Sequence, residues 1–305
     1  MTALSKYFIV SVDVEIDKSP NWSTATPTTF SGVKHGIKEI LHPLFMKYGV
    51  RPTYLLSPEV ISLECCKIFL ELNNCEFGTH LHGDYIVPNI KTWELGGSIT
   101  SNMQWEYPAD LEKQKLSTLT EIFFQHLGKM PTSFRAGRFG IGHHTGKCLK
   151  ELGYLIDSSV TPHIVWTSST GVRFPDFTNF TELPYMICDD GDIWKQGNSN
   201  FLELPITALR EGIISNEVSW LRPWYSDGKG LCDIFRHIYK NEPKRPNVMM
   251  FHNVEVIPSA SPYPKTEADV ERYLNMLHNI FQLALNMGAI FCTMSEFYHI
   301  YKNGA

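Results

Sequence analysis

Tyr7-Phe8-Ile9-Val10-Ser11-Val12-Asp13-Val14-Glu15 decides how the chain is read. Its β-branched and aromatic residues make a buried strand over about Tyr7–Val14, and the apolar run meets Asp13 and Glu15 too soon to form the apolar core of a secretory leader. Alternate residues of an extended segment point the same way, so Asp13 and Glu15 can offer two carboxylates to one pocket. Downstream, Val33, Ile37, Ile40, Leu41, Leu44 and Phe45 recur at three- and four-residue spacing and mark a helix ending near Gly49. Pro52–Leu56 reads as a second strand, Pro58–Leu72 as a second helix and Cys75–His80 as a third strand. Short strands alternating with helical segments are the mark of parallel βαβ units.

The alternation continues to the end of the chain. An irregular segment punctuated by Gly96, Gly97 and Pro108 leads to a helix over Ala109–Leu127. Ser133–Arg135, a helix reaching Leu152 and a strand around Tyr154–Ser158 follow. Thr161–Asn200 carries many Pro, Gly, Asp and Asn residues and reads as a long loop or hairpin excursion, a length usually tied to function. Phe201–Ile206 restores regularity, followed by a helix near Leu231–Tyr239, a strand at Asn247–His252, a helix over Val270–Met287, a strand at Ala289–Thr293 and a closing helix. Seven or eight strand-then-helix units, with no linker between two compositions, predict one α/β barrel-like domain over residues 1–305. The excess over ~250 residues is expected in long loops at the C-terminal face.

Of the 305 residues, 43% are apolar and 19% charged, ample material for a core. Twenty-seven basic against 32 acidic residues leave a net charge of −5, no excess with which to follow a phosphate backbone or an anionic bilayer. No apolar stretch approaches the ~18 residues of a spanning helix. The expectation is a soluble cytoplasmic protein without nucleic-acid or membrane partners. Seven cysteines, an odd number without a CxxC pair, read as reduced thiols, with Cys65 and Cys66 inside a helix's apolar pattern.

The polar residues least expected in such strands stand at their C-terminal ends: Asp13 and Glu15, His80 and His82, Arg135, Asp157, Glu203 and His252. In parallel barrels that end carries the active site. Two imidazoles and a carboxylate with one position left for water are a common set for catalytic zinc or a similar divalent ion. His143 and His144 lie where a helix begins and read as capping residues. Trp220, Arg222, Trp224 and Tyr225 read either as a sugar-stacking, substrate-binding platform or as loop anchors.

These motifs resemble the NodB-homology polysaccharide deacetylases of carbohydrate esterase family 4, over most of the chain from Phe8 to Met294. Asp13-Val14-Glu15 stands where the family has an acidic pair. Gly78-Thr79-His80-Leu81-His82 stands at its histidine motif, although the residue four beyond His80 is Asp84 instead of histidine. Phe134-Arg135-Ala136-Gly137-Arg138 is similar to the arginine motif, Leu152-Gly153-Tyr154-Leu155-Ile156-Asp157-Ser158-Ser159 to the segment after the next helix, and Met250-Phe251-His252 to the last motif. The resemblance implies a distorted (β/α) barrel and a divalent metal, zinc being the expected ion, held by Glu15, His80 and either His82 or Asp84. It implies Asp13 as general base, Arg135 or Arg138 holding it ionised, a backbone N–H after Arg135 for the oxyanion, and His252 as general acid. The implied reaction removes an acyl group, acetyl first, from an amino sugar of a polysaccharide or surface-glycan precursor. The alternatives are hydrolysis of a non-sugar amide or N-formyl group, and a catalytically silent glycan-binding relative.

Overall fold

The computed structural model describes residues 3–88, 103–210 and 218–304. The irregular segment with Gly96 and Gly97 falls outside them. Seven strands, β1 Tyr7–Val14, β2 Thr53–Leu56, β3 Glu76–Leu81, β4 Ser133–Ala136, β5 Ile156–Asp157, β9 Leu202–Glu203 and β12 Asn247–His252, make one curled parallel sheet in the order β12-β1-β2-β3-β4-β5-β9. An eighth parallel strand, β13 Ile290–Phe291, pairs with the start of β1. Beyond β9 the sheet ends in one antiparallel strand, β8 Tyr185–Met186. The gap between β9 and β12 is bridged by the chain after β9, where the Thr207 N–H donates to the Val248 carbonyl at 3.1 Å and the Ile206 N–H to the Val160 carbonyl at 2.9 Å. The sheet is thus a distorted (β/α) barrel.

Alternation along β1 explains the two faces. Phe8, Val10, Val12 and Val14 pack outward into the large core, where α1 His42–Tyr48, α5 Gly228–Asn241 and α6 Glu267–Asn286 contribute Phe45, Phe235 and Phe281. Tyr7 and Ile9 belong instead to a smaller inner cluster with Leu55, Ile156, Leu202, Val248 and Met250. That inner face continues upward as Ser11, Asp13 and Glu15, so the parity that fills the barrel with Ile9 delivers the carboxylates to its mouth. Three further helices, α2 Leu63–Glu71, α3 Ala109–Leu127 and α4 Thr145–Glu151, cover the outside, and α7 Met294–Lys302 packs Met294, Phe297 and Tyr298 into the inner cluster.

Several elements differ from the sequence reading. The first helix is π-helical over Gly32–Leu41 before it becomes α1. A Cβ at Gly32 would lie 2.6 Å from Asn253 Nδ2 and one at Gly36 2.7 Å from the Asn253 carbonyl, so only glycine lets this helix press against Asn253. The second helix is interrupted after a 3₁₀ turn at Pro58–Val60, and α2 restarts with Ser62 as its N-cap. The Thr161–Asn200 excursion contains the antiparallel hairpin β6 Val165–Thr167 and β7 Arg173–Asp176 as well as β8. A second antiparallel pair, β10 Ala208–Arg210 and β11 Val218–Trp220, precedes the Arg/Trp-rich loop. No helix among the described residues is long and apolar enough to cross a membrane.

Candidate active site

Register brings the polar strand ends together. Asp13 is the lateral partner of His252 across β1 and β12, and His80 that of Arg135 across β3 and β4. Just past β1, the Glu15 N–H donates to Asn253 Oδ1 at 2.9 Å while Asn253 Nδ2 donates back to the Glu15 carbonyl at 3.0 Å. This clamp, possible because Gly32 and Gly36 admit Asn253, fixes where Glu15 projects.

Glu15 Oε1 lies 2.9 Å from His82 Nε2 and 3.2 Å from His80 Nε2, and the two Nε2 atoms are 3.1 Å apart. All three residues are buried and form the one group among the described residues able to hold a metal ion. Ligands ~2.0–2.1 Å from a tetrahedral zinc stand ~3.3 Å from one another, close to this spacing. His80 Nδ1 is 3.0 Å from the Arg135 carbonyl, an acceptor that assigns the proton to Nδ1 and leaves Nε2 with its lone pair. Bare Nε2 and carboxylate lone pairs so close repel unless a proton or a cation lies between them. The donor set therefore fits a divalent ion. Burial pushes the His82 imidazole down to about 3, leaving it neutral as a ligand must be. Burial also raises the Glu15 carboxyl, but the Lys18 ammonium and then His82 outweigh it and hold Glu15 well below its ordinary value.

Asp13 lies beside this group. Arg135, fully buried, donates through Nη1 to Asp13 Oδ1 at 2.6 Å, through Nη2 to Ser11 Oγ at 2.8 Å and Ser158 Oγ at 3.1 Å, and through Nε to the Ser158 carbonyl at 2.7 Å. Burial raises the Asp13 carboxyl, yet the Arg135 guanidinium, His80 and His252 together bring it below the ordinary value. His252 Nε2 faces Glu15 Oε1 at 3.7 Å, and its Nδ1 lies 2.9 Å from Glu255 Oε1. Glu255 also accepts from Arg222 Nη2 at 2.6 Å and from the Tyr273 hydroxyl at 3.1 Å. Burial raises Glu255, but the Arg222 guanidinium and His252 lower it further. It is a fixed anion oriented on the histidine.

A cavity of ≈ 280 Å³ opens above these groups, walled by Trp22, Tyr85, Phe139, Trp166, Tyr225 and Tyr263. Trp22 stands 4.8 Å from the His252 ring, with φ 64°; Arg138 and Phe139, also lining the cavity, have φ 55° and 53°. Non-glycine residues held at positive φ gather at functional sites.

The proposed site residues fall into two groups. Asp13, Glu15, His80, His82, Arg135 and His252 converge. Asp84 turns away from the ligand cluster, its carboxylate 3.3 Å from the Tyr107 hydroxyl and 3.5 Å from Arg138 Nη1, because a 3₁₀ turn at Gly83–Tyr85 redirects the chain. Arg138 accordingly lies at Asp84, and the guanidinium on Asp13 is that of Arg135. Of the aromatic platform, Arg222 and Tyr225 line the cavity. Trp220 is buried against Phe139 and Trp166, and Trp224 stacks on Tyr263 and Tyr273, so both support the cavity wall from behind without lining the cavity. His143 pairs with Asp192, and His144 precedes α4. Trp22 and Tyr263, on loops, and Trp166, on the short strand β6, escape a sequence reading because segments distant in the chain carry them. Zinc titration monitored by competition with a chromogenic chelator should show His82→Ala weakening binding at least about tenfold and Asp84→Asn changing it by less than about threefold.

Below Arg135 lies a second acidic pair. Asp157 and Glu203 are register partners on β5 and β9, both fully buried, with Ser159 Oγ donating to Asp157 Oδ1 at 2.7 Å and the Val160 N–H to Glu203 Oε1 at 3.0 Å. Burial, then the Asp157 charge, raises Glu203 well above the usual carboxylate value. A carboxyl that ionises later in the folded than in the unfolded chain contributes stability at pH below its unfolded value and loses it as pH climbs toward the folded one. Glu203→Gln should therefore gain stability over wild type as pH rises from about 5, read as a widening gap in urea midpoints.

No protein-family model matches the chain, and no curated protein matches it. Solved structures do. A protein from Mycobacterium smegmatis described as a polysaccharide deacetylase superposes with a TM-score of 0.59 at 14% identity, covering 97% of this chain and 90% of the other. PuuE allantoinase gives 0.57 at 14% identity, covering 98% and 90%. A 4-alpha-glucanotransferase from Thermococcus litoralis gives 0.57 at 12% identity, covering 98% of this chain but 40% of that one. The chain shares the distorted (β/α) barrel fold of these proteins.

Proposed function

We propose that residues 1–305 act as one NodB-like deacetylase unit: a divalent-metal amide hydrolase that removes an N-acyl group, acetyl first, from an amino sugar of a polysaccharide or surface-glycan precursor. The observation that carries this reading is the convergence of Glu15, His80 and His82 beside Asp13–Arg135 on one side and His252–Glu255 on the other. A bound zinc ion would be held by Glu15, His80 and His82 and would supply a lowered pKa to water and polarisation of the acyl carbonyl.

The chain's own residues do the rest. Asp13, ionised through its contact with Arg135, accepts the proton of the attacking water. The family resemblance assigns the developing oxyanion to a backbone N–H in the loop after Arg135; the Ala136 N–H already donates to Ser159 Oγ at 2.9 Å, which leaves that role to residues further along the turn. His252, held through Nδ1 by Glu255, donates a proton from Nε2 to the leaving amine. Trp22, Tyr85 and Trp166 exclude bulk water and offer aromatic faces to a sugar ring. The products are a carboxylic acid and a free amine.

A non-sugar amide or N-formyl compound is the second reading, favoured by the modest cavity of ≈ 280 Å³. Mass spectrometry of zinc-reconstituted protein with a panel of N-acetyl and N-formyl amino sugars and small cyclic amides separates the two. Acid and amine in equal amounts from an acetylated sugar are the expected result; no carboxylic acid from any member would reject the hydrolase.

A further inference from the structure

Lys18 is the charged group of this centre that hydrolysis leaves without a task. Its Nζ lies 2.8 Å from Glu15 Oε2, the oxygen opposite the one facing the imidazoles, and 3.9 Å from Glu59 Oε1. The Lys18, Glu15 and Glu59 side chains are only 3%, 4% and 0% exposed. The segment carrying the ammonium is anchored on both sides: the Lys18 N–H donates to the Ala260 carbonyl at 2.8 Å, and Asp17 accepts from the Ser31 and Gly32 N–H groups at 2.8 Å each. The ammonium also passes 5.7 Å from the centre of the Tyr85 ring.

This arrangement has two electrostatic consequences. A buried carboxylate needs a counter-charge, and before any ion arrives Lys18 provides one for Glu15. A divalent cation seated at Glu15 Oε1 then shares that carboxylate with an ammonium already on Oε2, and in a desolvated site the two cations repel strongly.

We propose that Lys18 is a built-in counter-ion of the metal site. It keeps the ligand cluster assembled without metal and lowers the affinity for divalent ions, so that the ion exchanges and the site fills according to metal supply. Lys18 is a positioning residue acting through Glu15. The proposal rests on reading Glu15, His80 and His82 as a divalent-cation site.

The test is zinc affinity of the full chain, measured by chelator competition. Lys18→Met and Lys18→Gln should each tighten zinc at least about tenfold, because both remove the ammonium and Gln still offers a hydrogen bond to Glu15. Lys18→Arg, which keeps the charge, should stay within about threefold of wild type. Adding His80→Ala to Lys18→Gln should abolish the gain, tying it to this site. If wild type binds one zinc and neither neutral variant binds it more tightly, the role of Lys18 is wrong while the site stands. If neither wild type nor the neutral variants bind zinc stoichiometrically, both the role and the site reading fall.

Discussion

Asp13→Asn lowers turnover by ~10²–10⁴-fold with zinc stoichiometry and fold intact, the scale expected when a general base is lost. Asn can still accept from Arg135 Nη1, which now lies 2.6 Å from Asp13 Oδ1, so the guanidinium keeps a partner and the barrel keeps its shape. What disappears is the proton acceptor. Arg135, His80 and His252 bring Asp13 below its ordinary pKa despite burial, so the wild-type base stays ionised through neutral pH and the acid limb of the rate profile falls as pH drops toward that lowered value. Steady-state acid release against pH tests both points. Wild-type rates in Asp13→Asn would assign the base to another residue.

Arg135→Met carries the largest expected loss of stability. Breaking a buried ion pair from one side leaves an uncompensated charge and costs ~3–5 kcal/mol, a large part of the ~5–15 kcal/mol that holds a typical protein folded. Ser11, Ser158 and the Ser158 carbonyl also lose a donor. Turnover falls too, since Asp13 without Arg135 is raised by its burial and spends less time as a base. The control is Asp13→Leu combined with Arg135→Met. Removing both charges should leave a protein more stable in denaturant than Arg135→Met alone, because apolar replacements of a buried pair are often close to neutral. Equal midpoints for the two would mean that the pair contributes little.

Legibility of this molecule in its sequence followed element length. Tyr7–Val14 and Asn247–His252 read at their observed bounds because each carries a full run of strand residues. The two- to four-residue strands of the Thr161–Asn200 excursion and the pair flanking residues 211–217 have no period of their own; partners remote in sequence define them. The site divides the same way. Asp13, Glu15, His80, His82, Arg135 and His252 stood out as polar residues ending apolar strands. His82 and Asp84 could not be told apart, since their difference lies in a 3₁₀ turn that sends Asp84 toward Arg138. The Asn253 clamp on Glu15, the ammonium of Lys18 and the Trp22 wall against His252 each join segments far apart or act through space, and no local pattern announces them.

Zinc titrated into chelator-treated wild type and His80→Ala, with acid release from the best N-acyl substrate as the readout, tests the central claim most directly. The account predicts that wild-type activity is absent without metal, rises with added zinc and levels off at about one equivalent per chain, while His80→Ala stays inactive at that dose. Acid release that persists without metal, or that His80→Ala retains in full, would contradict it.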